Sequence, residues 1–259
     1  MWCARWESIC GDKIMVRIEH LTKKFSGGVA AVDDLSLELP DGKIFACIGP
    51  NGSGKTTTVK MLAGLYMPTS GAIHVCGIEL SKEPEKAKAL IGYVPDEPYL
   101  YEKMSGREFL GYVAALYGMQ REDARAQANH FLPFFSGLEE VLDGMTENYS
   151  RGNKQKLAVV AALMHRPKVL FIDEPMVGLD PQSAHAVKNL LKDFSAGGGT
   201  VFLCTHTLPV AEELAHRIGV LNNGKLVALG TLAELRAKAG TQAGSLEEAF
   251  LELVGQPGA

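Results

Sequence analysis

With 259 residues, 46% of them apolar and 22% charged, the chain can bury a sizeable core and reads as one large globular domain or one carrying an inserted subdomain. A formal net charge of −4 supplies no overall basic field, which sets nucleic acid aside as a partner. Five scattered cysteines, Cys3, Cys10, Cys47, Cys76 and Cys204, contain no CxxC pair, so neither a disulfide framework nor a zinc site is indicated and a reducing cytoplasm is expected.

Residues 1–14 lack the continuous apolar stretch of a secretory signal and are expected to be a tail or the product of an upstream start codon. The domain proper is expected over 15–254, with 255–259 as a short C-terminal tail. "VRIEHLTKKF" at 16–25 and "VDDLSLELPDG" at 32–42 alternate apolar with polar residues and end at Asp41-Gly42, as antiparallel strands do. "IFACIG" at 44–49, "KVLFID" at 168–173 and "TVFLCT" at 200–205 are apolar runs, each followed by helix-like sequence. Strands of that kind alternating with helices predict a mainly parallel sheet wrapped by helices. Between about 97 and 165 the strand signal disappears, and "GREFLGYVAALYG", "REDARAQANHFLPFF" and the stretch after Tyr149 carry helical spacing, which predicts a helical insertion. "IGVLNNGKLVAL" at 218–229 turns on Asn223-Gly224 and is grouped with the first two strands in an antiparallel β subdomain. "SLEEAFLELVG" at 245–255 reads as an amphipathic helix with Leu246, Phe250 and Leu253 on one face. Charges, Gly or Pro interrupt every hydrophobic segment well short of the roughly 20 residues that span a bilayer, so membrane work would fall to another chain.

The chemistry concentrates in a few segments. "GPNGSGKTT" (Gly49, Pro50, Asn51, Gly52, Ser53, Gly54, Lys55, Thr56 and Thr57) lies between an apolar strand and a helix. Its glycines let successive backbone N–H groups turn inward on a β-phosphate, Lys55 reaches the β and γ oxygens, and Thr56 offers a hydroxyl to Mg²⁺. A plain glycine-rich turn is the alternative, and the complete GxxxxGK[ST] spacing in this context speaks against it. "VLFIDEP" at 169–175 ends a strand in two acids. Asp173 would hold Mg²⁺ through water and Glu174 would polarise the attacking water, unless the pair merely caps the next helix. His206 follows the next strand directly. A lone loop histidine is commonplace, but ligands of such folds gather at the carboxyl ends of strands, where a hydrogen bond to the γ-phosphate is its expected role. His20, His74, His130, His165, His185 and His216 have no such context and are expected to be structural or surface residues. "YSRGNKQKL" at 149–157 opens a helix, whose free N–H groups and dipole attract an anion.

In that order, "GPNGSGKTT", "YSRGNKQKL", "VLFIDEP", "GLD" at 178–180 and "TH" at 205–206 resemble the nucleotide-binding subunit of an ATP-binding cassette (ABC) transporter, from about residue 15 to the C-terminus. The length, the C-terminal segment and Asp96 resemble the bacterial ABC-2-type exporters and the EcsA-like group. The resemblance implies a P-loop NTPase fold of the ABC-ATPase type: α/β, with a parallel core sheet, an antiparallel β subdomain and a helical subdomain. It implies ATP and Mg²⁺ as ligands, hydrolysis of ATP, a head-to-tail homodimer, a separate membrane permease, and a place on the cytoplasmic face of the membrane. "YSRGN" matches the family signature LSGGQ, with Ser150 and Gly152 kept and Tyr149, Arg151 and Asn153 changed. Ser150 and Gly152 are then expected to close over the γ-phosphate of a second subunit. Phe25 falls where the family stacks an aromatic ring on adenine, a core Phe being the alternative. Asp180 matches the loop that communicates across the dimer, and "GLDP" also reads as a helix start capped by Asp180. In "GYVPDEPYLYEKMS" Asp96 stands where the family has a glutamine; a carboxylate can still bind the metal, but as an acceptor only. The neighbouring "EPYLYEKM" is expected to face the coupling helix of the permease. A soluble ABC-type ATPase uncoupled from transport is the runner-up, and a P-loop kinase or GTPase is disfavoured by the signature, His206 and the lack of an NKxD motif.

Overall fold

Residues 44–48, 169–173 and 200–205 are buried at every position, which is what strands covered on both faces require, and they form adjacent parallel strands at the centre of the molecule. The structure, a computed structural model, describes residues 14–240 and 245–255. The strands are β1 (Ile14–Lys24), β2 (Ala30–Pro40), β3 (Ile44–Ile48), β4 (Ser70–Val75), β5 (Ile78–Glu79), β6 (Ile91–Val94), β7 (Val169–Asp173), β8 (Thr200–Thr205), β9 (Arg217–Asn222) and β10 (Lys225–Gly230). The α-helices are α1 (Lys55–Leu62), α2 (Pro84–Lys88), α3 (Gly106–Leu116), α4 (Arg121–Phe131), α5 (Leu138–Val141), α6 (Arg151–Met164), α7 (Pro181–Ala196), α8 (Leu208–Leu214), α9 (Leu232–Lys238) and α10 (Leu246–Gly255).

A six-stranded sheet in the order β10-β9-β3-β8-β7-β6 forms the core, and a four-stranded antiparallel sheet, β2-β1-β4-β5, lies beside it. The expected grouping of the 218–229 hairpin is corrected here. β9 and β10 do pair antiparallel, but β9 runs parallel to β3, with Phe45 opposite Arg217, and joins the hairpin to the core sheet. Its apolar residues Ile218 and Val220 are needed there, packing with Ala46 and Ile48 under α8, α9 and α10. The expected N-terminal tail lies outside the described residues except Ile14, which already opens β1; at the other end Gly255 closes α10 and 256–259 lie outside.

Three apolar clusters hold the layers. Phe45, Phe171 and Phe202 pack with Val59, Met61 and Leu62 of α1 between the two sheets. Phe109, Phe131, Phe135 and Leu157 join the helices that follow β6 into a subdomain over α6, which itself lies against β6. The third cluster buries Leu246 and Leu253 of α10, with Phe250 partly buried alongside, as the amphipathic spacing predicts. Among the described residues no helix is long and apolar enough to cross a membrane.

Candidate functional site

β3 delivers the chain into the loop 49–54, and α1 begins at Lys55. Gly54 takes the N-cap position with φ 106°, and a Cβ there would strike the Ala31 carbonyl oxygen, so only glycine lets the loop turn into the helix. No side chain caps α1 and no acid lies in its first turn, which leaves its N–H groups open to an anion. Buried Lys55 donates from Nζ to the carbonyl oxygens of Gly49 (2.8 Å) and Pro50 (3.1 Å), folding back across the loop. A cavity of about 330 Å³ opens here, walled by Asn51, Gly52, Gly54, Lys55, Thr56 and Thr57 and, from other elements, Asp96, Arg151, Glu174 and His206.

The acids arrive through sheet register. β7 pairs parallel with β8, Asp173 opposite Cys204, so Glu174 and His206 leave the sheet side by side. Asp173 is 1% exposed, and its Oδ1 has no partner. Burial pushes its carboxyl above the usual carboxylate range; the Thr56 hydroxyl and Lys55 oppose this, while the charges of Glu174 and Asp96 reinforce it. An orphaned buried carboxylate oxygen beside a threonine hydroxyl suits a hard dication, which would relieve the desolvation and complete its shell with phosphate and water oxygens. Glu174 sits in the left-handed region at φ 48°, a strain of about 1–3 kcal/mol for a residue with a Cβ. Hydrogen bonds hold it there. Its N–H donates to the Cys204 carbonyl at 2.9 Å, Oε1 accepts the His206 N–H at 2.8 Å and pairs with His206 Nδ1 at 2.7 Å, and Oε2 accepts the Thr205 hydroxyl at 3.0 Å.

Of the remaining candidate residues, Ser150, Gly152, Asp180 and Phe25 lie outside this wall, whereas Asp96 belongs to it. Ser150 is exposed and caps α6, its Oγ accepting the Asn153 N–H at 3.2 Å. A Cβ on Gly152 would lie 2.8 Å from the Gly178 carbonyl oxygen, so the segment after Ser150 presses directly on the loop after β7. Asp180 caps α7 through Ser183, at 2.8 Å to its N–H and 2.6 Å to its hydroxyl, and pairs with Lys156 at 3.3 Å. Ser183 first, then Lys156, hold its carboxyl well below the usual range, so the capping reading of "GLDP" is realised. Phe25 is 45% exposed and meets Tyr66 edge-on at 5.8 Å, which removes the core-Phe alternative. Asp96 Oδ1 accepts from Arg151 Nη2 at 3.1 Å.

Sequence reasoning overlooked Thr205 as a partner of Glu174 and Arg151 as part of the cavity wall. Thr205 was legible as a hydroxyl at a strand end, whereas Arg151 reaches the wall only through the tertiary fold. Of the remaining histidines, His165 donates from Nε2 to the Ile91 carbonyl oxygen (2.9 Å) and stacks on Tyr117. Burial pushes it down to about 4, so it stays neutral and structural. A second, apolar groove of about 420 Å³ separates α3 and α6 from the end of α1, lined by Leu65, Tyr93, Pro98, Tyr99, Leu100, Phe109 and Leu116. Tyr99 is 85% exposed on its rim.

A family model described as ABC transporter matches residues 32–177, more than half of the chain. The ABC-type transporter ATP-binding protein EcsA of Bacillus subtilis (strain 168) is 33% identical over 234 residues, covering 89% of this chain and 94% of its own. Among solved structures, an ATP-binding subunit of an ABC transporter superposes with a TM-score of 0.87 at 33% identity, covering 92% of this chain and 99% of that one. A dimeric post-hydrolysis state of the ATP-binding cassette MJ0796 bound to ADP and Pi matches with a TM-score of 0.76 at 25% identity, over 84% and 99%.

Proposed function

We propose how this chain, which belongs to the ABC transporter family and is the ATP-binding, ATP-hydrolysing subunit of such a transporter, carries out that activity. One observation carries the reading: residues of the 51–57 loop, with Glu174 and His206 from just beyond β7 and β8, converge on a single cavity, and the unpartnered Oδ1 of buried Asp173 lies next to Glu174 in sequence.

The inward N–H groups of 51–56 and Lys55 cradle the β- and γ-phosphates. Thr56 and Asp173 would hold Mg²⁺, which when bound spreads positive charge over the phosphate oxygens; Asp96, also expected at the metal, is instead held by Arg151. Glu174 takes a proton from the attacking water. Its Oε1 is engaged by His206, so a His206 ring that turns to the γ-phosphate also frees the base, coupling recognition of the substrate to its activation. Phe25 offers an exposed ring for adenine.

Ser150 and Gly152 serve the γ-phosphate of a second copy of the chain in a head-to-tail homodimer, across which Asp180 and the Gly178 loop lie. That the solved cassette bound to ADP and Pi is dimeric supports a dimer here. A permease helix docks in the apolar groove beside "EPYLYEKM", which favours transport, in the export direction of the EcsA-like group, over an uncoupled soluble ATPase. The protein then works on the cytoplasmic face of a membrane that its partner spans. Sedimentation of the Glu174→Gln chain tests the dimer: a dimer with ATP and a monomer with ADP are expected, and a monomer in both overturns the head-to-tail reading.

A further inference from the structure

Arg151 opens α6 at the positive end of the helix dipole, in a first turn that has no acid. A cation is disfavoured there, so the side chain needs an anion elsewhere. Its stem crosses the backbone of Gly178, where an added Cβ would lie 3.0 Å from Arg151 Cδ and 3.1 Å from Cγ. From that crossing the guanidinium reaches Asp96, 55 residues away in sequence, at 3.1 Å. The pair stands at the rim of the chain's own cavity, together with Asn51, Lys55, Thr56 and Glu174. These are also two positions at which the sequence departs from the pattern it resembles.

Asp96 and Glu174 line the same cavity, so both carboxylates meet whatever enters it. Two carboxylates at one rim oppose an incoming polyphosphate. The Arg151 and Asp96 side chains are 51% and 44% exposed, so their pairing contributes little to folding stability. Its consequence is the potential that the nucleotide meets.

We propose that Arg151 is a positioning residue acting within its own chain: by pairing with Asp96 it fixes that carboxylate at the rim and cancels its charge, so that the isolated chain's hold on Mg-ATP depends on Arg151. The proposal rests on the ATP-binding reading of the cavity. It separates Arg151 from its neighbour Ser150, assigned above to a partner's nucleotide.

Calorimetric titration of Mg-ATP into the isolated full-length chain tests it, with wild type, Arg151→Ala, Arg151→Lys, Asp96→Asn and the Arg151→Ala/Asp96→Asn double variant. Arg151→Ala weakens binding about fivefold at low salt and less at high salt, where the repulsion is screened. Arg151→Lys keeps the charge and retains binding. Asp96→Asn binds as tightly as wild type or tighter, and the double variant returns to within about twofold of wild type. A purely structural strut would not be rescued by removing its partner. Unchanged affinity in Arg151→Ala, weaker binding in Asp96→Asn, or a loss that the second change fails to restore overturns this inference and leaves the ATP-binding reading standing. A wild-type chain that does not bind Mg-ATP overturns both.

Discussion

Two helices begin at segments built for anions, and they end differently. α1 and α6 each lack an acid in the first turn and each start on a base, Lys55 and Arg151, whereas α3, α4 and α9 carry Glu or Asp there. α1 opens uncapped into a cavity whose wall the chain supplies from several elements, acids included. α6 opens beside that cavity with Ser150 exposed, its Oγ accepting the Asn153 N–H, and Ser150 is not among the residues that wall the cavity. On the proposed reading, one phosphate site is complete within the chain and the other is half a site. The difference then assigns binding and turnover to different units: the monomer for the first, the dimer for the second.

The largest way to break that division is to remove the base. Glu174→Gln keeps the side chain's shape and loses its proton acceptor, so steady-state hydrolysis falls by about a thousandfold while ATP binding survives. Near-normal release of phosphate by the purified variant would take Glu174 out of the role. Ser150→Arg tests the other half. It leaves binding by the isolated chain unchanged and lowers hydrolysis by about a hundredfold, because the bulky side chain fills the place of the partner's phosphate. A mixed dimer of one Ser150→Arg chain and one Lys55→Ala chain gathers both defects in one composite site and leaves the other intact. Residual activity from it is expected, and loss of ATP binding by the Ser150→Arg monomer would return the serine to its own chain's site. Lys55→Ala strikes the complete site directly, weakening ATP binding by about 2 kcal/mol, roughly thirtyfold, as a charge-assisted contact is lost. Calorimetry that finds the wild-type affinity would refute this.

Much of this contrast is legible in the residues because it depends on local chemistry. The order of Gly, Lys and Thr at a strand-to-helix turn, acids at the end of an all-apolar run, and Ser150 ahead of a helix each declare themselves within a few residues. What escaped was either short or remote. β6, "IGYV", is a four-residue strand containing a glycine, and β4 carries Gly71, so neither shows a clear run. The 218–229 hairpin declared its turn but not its neighbour, since whether β9 pairs with β3 is decided by the packing of Ile218 and Val220. The Asp96–Arg151 contact joins the loop after β6 to the start of α6, a meeting that only the fold of the helical subdomain determines.

The smallest expected effect sharpens the comparison most cleanly, because it touches the complete site at its far end. Phe25 is exposed just beyond β1, edge-on to Tyr66, with Lys23 Nζ 5.3 Å above its ring. Lys23 and Lys60 also lie near the Tyr66 ring, at 5.8 and 5.5 Å. If stacking is all that Phe25 supplies to adenine, Phe25→Ala costs about 1 kcal/mol, roughly fivefold in affinity, far less than the loss of Lys55. That loss belongs to the monomer, so saturating ATP should restore both dimerisation and hydrolysis in Phe25→Ala, as it cannot in Ser150→Arg. An unaltered affinity would remove Phe25 from the nucleotide site. A defect that saturating ATP fails to rescue would mean instead that the aromatic pair takes part in the dimer, and the boundary between the complete site and the half-site would have to move.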